Sequence, residues 1–323
     1  MTHAITIHRP GGPEVMQWEA VEVGAPGPGE VRLRQVAVGL NYIDVYHRTG
    51  LYPLPLPFTP GLEGAGVVET VGDSVTGFKP GDRVAYANAI GAYAEVRTIA
   101  AASLVHLPDA IGFDVAAAMM LQGMTVDMLI NRVRPLQAGE TILIHAAAGG
   151  VGLILCQWAK AIGATVIGTV SSDAKAVLAR AHGCDHAIVT TRDDFVAEVL
   201  RITDGKKLPV VYDSVGKDTF VRSLDCLARR GMLVSFGQAS GSVTDFQPGM
   251  LAQKGSLYLT RPTLFDYIAT RAELEQSAAA LFGMVASGKV RIEIGQRFAL
   301  ADAAEAHRAL EARATTGSTV LTV

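Results

Sequence analysis

The sequence predicts a two-domain α/β protein: a loop-rich β domain, an inserted doubly wound parallel sheet with helices on both faces, and a return segment. Three observations predict it. Short strand-like segments divided by Gly/Pro clusters fill the first 120 residues or so. From about Phe113, strand-like and helix-like runs alternate at the pitch of a parallel sheet. The final strand-like run, STVLTV, has no partner after it and is expected to return to the β domain. The expected boundaries are 1–122, 123–262 and 263–323.

Taken in order, Glu30–Val38 and Gly64–Val71 read as strands. They stand among GAPGPGE (24–30), PLPLPFTPG (53–61) and KPGDR (79–83), which read as turns. DVAAAMMLQGMTVDMLINRV then carries apolar residues at helical spacing. The alternation follows. TILIHAA leads through a glycine turn to GLILCQWAKAIG, and ATVIGTV leads to SSDAKAVLARAHG. HAIVT leads to DDFVAEVLRIT, and PVVYDSVG leads to TFVRSLDCLARRG and then MLVSFG. Lys254–Thr260 reads as one more strand, Arg271–Ser287 as a helix, and ADAAEAHRALEAR as a short amphipathic helix.

Composition narrows the function. With 28 Lys+Arg against 31 Asp+Glu, the net charge is −3, which gives no global reason to hold a polyanion. Hydrophobic residues at 49% and charged residues at 18% support a large core and exclude disorder. Cys156, Cys184 and Cys226 are odd in number and far apart, which excludes a disulfide framework and a four-cysteine zinc lobe. The start, MTHAITIHRPGG, has no signal-peptide run, so a cytoplasmic location is expected. Thr141–Ala159 holds no Asp, Glu, Lys or Arg, yet three glycines divide it into a strand and a helix, so no membrane span is expected.

The chemistry is concentrated in Gly139–Lys160, where a buried strand runs into a glycine turn that opens a helix. Such a turn lets the backbone approach a pyrophosphate, and the helix N-terminus offers free N–H groups to it. The usual G-x-G-x-x-G stands here as Ala147-x-Gly149-x-x-Gly152. Beyond the second strand come Ser171, Ser172, Asp173 and Lys175. Hydroxyls and a lysine suit a ribose 2′-phosphate, so NADPH is favoured. Asp173 lies where a carboxylate would instead bind a free 2′-OH, but reads rather as the acidic first turn of the next helix, stabilising through the helix dipole. There is no G-x-S-x-G, no H-E-x-x-H, no P-loop and no metal-ligand spacing among the histidines. His145 reads as a packed core residue. Chemistry then rests on the cofactor.

These residues resemble the zinc-independent quinone oxidoreductases of the zeta-crystallin type, within the medium-chain dehydrogenase/reductase superfamily. Gly139-Glu140, Leu143, Ala147-Ala148-Gly149-Gly150-x-Gly152, Gln157 and Lys160 carry the resemblance. GLNYIDVYHRTGLYP (39–53), PGLEGAGVV (60–68), KPGDRVAY (79–86) and LVSFGQASG (233–241) extend it over the whole chain. It implies a GroES-like catalytic domain and a Rossmann domain. Zinc-dependent relatives place Cys and His where Asn41 and Leu62 stand, and neither amide nor alkyl replaces such ligands, so no metal is implied. The resemblance places Asn41, Tyr42 and Thr125 at the nicotinamide end. It places Gly149, Gly150 and Val151 at the pyrophosphate, and Ser171, Ser172, Lys175 and Thr190 at the adenosine phosphate. Ser214, Val215, Phe236, Gly237, Gln238, Leu264 and Arg313 complete the implied cofactor contacts. Thr190 departs from the Tyr common in close relatives.

For catalysis the resemblance implies Asn41 with Tyr46 and Tyr52, an aromatic wall suited to a flat quinone. No side chain is an evident general acid. The expected activity is NADPH-dependent quinone reduction, by hydride or single electrons. The alternatives are reduction of an activated C=C bond, with Tyr42, Tyr46 or Tyr52 as acid, and a non-catalytic, crystallin-like NADPH-binding protein. The resemblance also implies a homodimer through edge strands of the Rossmann sheet; the net charge of −3 and the lack of a basic, aromatic-interleaved patch argue against a nucleic-acid partner.

Overall fold

The structure, a computed structural model, describes all 323 residues. It divides into two compact units: Met1–Met124 with Ile268–Ala286 and Ile292–Val323, and Thr125–Tyr267 with Ser287–Arg291. The second unit is thus inserted in the first.

The first unit begins with β1 (Thr2–Ile7), β2 (Met16–Val21) and β3 (Glu30–Leu40). Then come α1 (Tyr42–Thr49), β4 (Glu63–Val71), β5 (Arg83–Tyr86), β6 (Val96–Ala100), β7 (Val105–His106), α2 (Phe113–Ala117) and α3 (Met120–Asp127). α1 opens at Asn41, whose backbone N–H donates to the Asp44 carboxylate at 2.9 Å, and it closes on Gly50 at φ +79°. The segment expected to form one helix after Phe113 is broken. α2 and α3 are separate, and Met128–Val133 continues as a wider π-type turn. Gly123 allows α3 its close packing, since a Cβ there would lie 2.3 Å from a Leu281 methyl.

The inserted unit contains β8 (Thr141–Ile144), α4 (Gly150–Ile162), β9 (Thr165–Val170), α5 (Asp173–Ala181), β10 (His186–Val189) and α6 (Phe195–Ile202). It continues through β11 (Leu208–Asp213), α7 (Phe220–Asp225), β12 (Leu227–Ser235), α8 (Gly249–Gln253), β13 (Tyr258–Thr260) and α9 (Leu264–Tyr267). The six strands pair in parallel in the order β10-β9-β8-β11-β12-β13. This is a doubly wound sheet whose order reverses between β8 and β11, where such sheets bind ligands at the strands' carboxyl ends. Leu143, Ile167, Ile188, Val211 and Leu233 form its core with Phe195, Phe220 and Leu224. Two sequence expectations are corrected. Leu227–Arg230, expected in a helix, belongs to β12, because Leu227 takes a ladder place beside Leu208. Of the expected strand Lys254–Thr260 only the last three residues pair. Lys254 caps α8, and its ammonium is drawn to the Asp225 carboxylate.

The chain returns as α10 (Arg271–Ala286), β14 (Ile294–Ala299), α11 (Ala303–Glu311) and β15 (Ser318–Thr322). β15 pairs antiparallel with β3, so the terminal strand does return to the β domain. The main sheet of this unit runs β14-β15-β3-β4-β5-β7, with β6 also on β3. Ile5, Val31, Leu33, Val38, Val68, Val84, Tyr86 and Leu321 form its core. No helix is long and apolar enough to cross a membrane.

Candidate active site

In the inserted unit, β8 delivers the chain to a turn at Ala146–Gly149. Ala146 takes the left-handed conformation, φ +53°, and the Ala147 N–H donates to Thr169 O at 2.9 Å. Ala147 therefore needs no glycine's freedom. Its methyl fits because β9 has Gly168 opposite, where a Cβ would lie 2.6 Å away. Gly149 caps α4 without a side chain, so no side-chain cap bond covers the first N–H groups of the helix. Gly152 is required by contact: a Cβ there would stand 2.3 Å from Ala146 O and 2.8 Å from the backbone of Ala147. Gly149, Gly150 and Val151 are partly exposed at this turn. The cradle fits a pyrophosphate.

The end of β9 bears the cationic part. Ser172 caps α5 and accepts from Lys175 N at 3.3 Å. Asp173, an exposed residue, is ion-paired with Arg192 at 3.2 Å. Arg192 also pairs with Asp193 at 3.1 Å, so Asp173 is engaged by a shared cation, and with Lys175 this end suits a phosphate. Arg192 escaped the sequence reading. Its signal was a cation three residues beyond the end of β10, the strand beside β9. Thr190 is exposed and turned back on the sheet, its hydroxyl donating to Val170 O at 3.1 Å.

Beneath the cofactor cradle lies a buried relay. His145 bonds Thr169 Oγ1 at 2.9 Å and Ser223 Oγ at 2.8 Å, and Ser223 Oγ donates to Asp213 at 3.2 Å. Burial pushes the His145 pKa down, so the ring stays neutral. Asp213 Oδ1 accepts the N–H groups of Val215 at 2.8 Å and Gly216 at 3.1 Å. This carboxylate shapes the Ser214–Gly216 turn, against which Gly237 packs so closely that a Cβ would meet Ser214 O at 2.5 Å. The structure thus brings Ser214, Val215, Phe236, Gly237 and Gln238 to neighbouring loops at the ends of β11 and β12. Leu264 is buried at the start of α9, and Thr125 lies on α3, half-buried.

In the other unit, Asn41 is almost buried at the head of α1. Its Nδ2 donates to Glu63 Oε1 at 2.8 Å, and its Oδ1 accepts from Gln122 Nε2 at 3.2 Å. Gln122 Oε1 in turn accepts from Ser318 Oγ at 2.7 Å, and Glu63 Oε2 accepts from Leu121 N at 2.6 Å. Gly39 admits the Glu63 carboxylate, since a Cβ there would be 2.1 Å from Oε1. Burial pushes the Glu63 pKa up to about 8 and that of Asp44 up to about 7. Asp44 Oδ2 accepts from Asn41 N and from the Tyr93 hydroxyl at 3.0 Å, while its Oδ1 is buried without a partner. The Tyr93 hydroxyl also bonds His307 at 3.2 Å, which meets Arg48, itself clamped on Glu311. Glu63, Gln122 and Asp44 escaped the sequence reading, since single polar residues in apolar runs carry no spacing signal.

Three tyrosines cluster beside Asn41. Tyr46 meets Tyr52 edge-on at 5.1 Å between ring centres and Tyr42 at 5.5 Å. Burial raises the Tyr42 pKa, with Glu311 acting in the same direction and Arg313 against it. Arg313 is exposed at φ +58° just past α11. Leu62 is buried near the start of β4. No group of three or more His, Cys, Asp or Glu is placed to hold a metal.

A doubly wound nucleotide-binding sheet inserted in a β-rich domain that carries a buried polar centre defines a two-domain, cofactor-dependent oxidoreductase. Comparison with known proteins gives the particular family. Residues 27–109 match the alcohol dehydrogenase GroES-like domain, and residues 150–282 match the zinc-binding dehydrogenase family. The chain is 59% identical to a quinone oxidoreductase of Pseudomonas aeruginosa over 96% of both chains. It is 44% identical to a 2-haloacrylate reductase of a Burkholderia species over 99% of both. The Escherichia coli quinone oxidoreductase, solved in complex with NADPH, superposes with a TM-score of 0.98 at 49% identity, covering 99% of this chain and 100% of that one. The chain belongs to the quinone oxidoreductase family of the medium-chain dehydrogenase/reductase superfamily.

Proposed function

We propose that the protein is a cytoplasmic, homodimeric, NADPH-dependent quinone reductase that uses no catalytic metal. The carrying observation is that the chain holds two sites, one in each unit. One is a phosphate cradle beside Lys175 and Arg192, the latter paired with Asp173 at 3.2 Å and with Asp193 at 3.1 Å. The other is an oriented amide, Asn41, beside three clustered tyrosines.

Gly149, Gly150 and Val151 hold the pyrophosphate, and Ser171, Ser172, Lys175 and Arg192 hold the 2′-phosphate. Ser214, Val215, Phe236, Gly237, Gln238 and Leu264 bound the rest, with Thr125, Tyr42 and Arg313 toward the nicotinamide end. When bound, NADPH supplies the reducing equivalents, as hydride or single electrons. Tyr46 and Tyr52 receive the flat acceptor, and Asn41 donates a hydrogen bond to its oxygen as negative charge develops there. Asn41 and Leu62 offer no thiolate or imidazole to zinc. For the dimer, β13 ends the parallel sheet as an edge strand and exposes Tyr258 (56%), a surface that suits pairing with its twin.

The test is NADPH oxidation with a quinone and, separately, with an alkenal. Rapid turnover with quinone alone supports the proposal. A specific relative favours the second reading, reduction of an activated C=C bond, since the 2-haloacrylate reductase covers the whole chain. Tyr42→Phe, Tyr46→Phe or Tyr52→Phe losing turnover with the alkenal and keeping it with quinone would establish that reading. Sedimentation at micromolar concentration decides between monomer and dimer.

A further inference from the structure

The side-chain hydrogen bonds around Asn41 run in one direction. Ser318 Oγ donates to Gln122 Oε1 at 2.7 Å, Gln122 Nε2 donates to Asn41 Oδ1 at 3.2 Å, and Asn41 Nδ2 donates to Glu63 Oε1 at 2.8 Å. The direction is set at the Glu63 end. Both carboxylate oxygens face N–H donors: Oε1 faces Asn41 Nδ2, and Oε2 faces the Leu121 backbone N–H at 2.6 Å. A carboxylate accepts and does not donate, so the Asn41 amide must turn its nitrogen toward it. Asn41, Glu63, Gln122 and Ser318 are all buried, so water is not at hand to replace a lost partner.

We propose that Glu63 is a positioning residue, which through this one-way chain fixes the Asn41 carboxamide with its nitrogen as the hydrogen-bond donor offered to the acceptor's carbonyl oxygen. The second Nδ2 hydrogen is the one offered, because the first is held by Glu63. The inference rests on the reading of Asn41 as the group that meets the reacting oxygen. It adds what makes an asparagine, which can present either end, present only one.

The chain makes a definite prediction for Glu63→Gln. An amide has one accepting and one donating end. Leu121 N–H is backbone and keeps its place, so it claims the oxygen of the new amide. The nitrogen then faces Asn41, which turns over to accept. Its nitrogen now meets Gln122, which turns over in the same way and donates to Ser318 Oγ. The Ser318 hydroxyl, whose one hydrogen is no longer given to Gln122, turns it to Ala118 O, 2.8 Å away. Every group stays paired, so the variant folds, but the end of Asn41 offered to the acceptor is now a carbonyl.

The experiment uses purified full-length protein, tetramethyl-1,4-benzoquinone and NADPH in alkaline buffer, where Glu63 is ionised. Glu63→Gln is expected to lower kcat/KM for the quinone roughly 100-fold, the loss typical for one such donor, with the NADPH dissociation constant unchanged. Asn41→Ala is expected to lose as much, and the double variant no more than Asn41→Ala alone, because Glu63 acts through Asn41. Losses that multiply in the double variant overturn the proposal, as does a fall in NADPH affinity equal to the fall in turnover. A second readout needs no turnover. The side-chain amide resonance of Asn41, identified by its loss in Asn41→Ala, moves in Glu63→Gln if the amide turns over. An unmoved resonance overturns the proposal. Wild-type protein that oxidises no NADPH with quinone defeats the functional reading, and the resonance then still decides the hydrogen-bond direction.

Discussion

Gly152→Ala tests the cofactor cradle most directly. On an open helix surface this substitution stabilises, by about 0.4–1 kcal/mol, because it restricts the unfolded chain. At Gly152 the new methyl would lie 2.3 Å from Ala146 O and 2.8 Å from both Cα and C of Ala147. All three are backbone atoms of the turn, and none can rotate away. Ala147 is further held by its bond to Thr169 O at 2.9 Å. Relief therefore requires α4 to move from the end of β8, an overpacking cost of about 1–3 kcal/mol. The net expectation is a loss of roughly 1–2 kcal/mol of stability, the balance of those two effects. Because the displaced element is the helix whose N-terminus is proposed to hold the pyrophosphate, NADPH affinity should fall about tenfold or more, a change equivalent to about 1.4 kcal/mol. Gly149→Ala is the control. There the nearest contact is Ala146 O at 3.3 Å, and the backbone, φ −83° and ψ 173°, suits any residue. It should keep wild-type stability. Urea unfolding and fluorescence titration read both quantities. Gly152→Ala with wild-type stability and NADPH affinity would refute the close-contact argument.

Lys175→Ala and Arg192→Ala should each weaken NADPH binding about tenfold and leave NADH binding unchanged, since each removes one charge-assisted bond to a phosphate that NADH lacks. Parallel titrations with the two cofactors check this, and an equal loss for both would place these cations elsewhere. Stability should depend on the two buried acids. Burial raises Asp44 from 3.8 to about 7 and Glu63 from 4.5 to about 8 in the folded chain. A raised folded pKa means stability is complete below the unfolded value and declines as pH rises through the folded one. Unfolding free energy should therefore fall between about pH 4 and 8, by an amount on the order of several kcal/mol. Urea melts across that range measure it, and Glu63→Gln should flatten the slope. Turnover should move the other way. Protonated Glu63 has the donor and acceptor set of glutamine, so quinone reduction should decline as pH falls through about 8 in wild type. In Glu63→Gln that limb should vanish. The titratable groups facing Glu63 are Asp44 of α1, Tyr86 of β5 and Tyr93. Both tyrosines are held above their ordinary range by burial, so Asp44 is the group to control, with Asp44→Asn.

The doubly wound sheet was legible because its signal is local. Each buried strand is a short apolar run, each helix follows a turn, and the glycine turn interrupts the pattern where the backbone must be bare. The errors fell where tertiary pairing outweighs local pattern. Leu227–Arg230 has helical spacing, but the ladder with β11 takes it into a strand. In the expected strand Lys254–Thr260 the strand character sits in its last residues, and Lys254 is taken by the close of α8. The break between α2 and α3 has no Pro or Gly to announce it.

The surroundings of the candidate centre at Asn41 were only partly legible, and the missing part has a physical cause. Asn41, Tyr46 and Tyr52 stand within one recognisable segment. What orients Asn41 comes from distant places in the chain: Glu63 on β4, Gln122 on α3 and Ser318 on β15. None carries a spacing, because hydrogen-bond partners in a core are chosen by three-dimensional proximity. One trace was present. Gly39 stands in a strand, where glycine is unfavourable, and a Cβ there would lie 2.1 Å from Glu63 Oε1 and equally close to Ala117 O. A glycine in a strand signals that something must come close. Here that is a carboxylate with both oxygens given to N–H donors, one of them the side chain that would meet the acceptor. The entry of Glu63 into the core thus sets the direction of the Asn41 amide and, together with the Ala117 carbonyl, requires the bare position in β3.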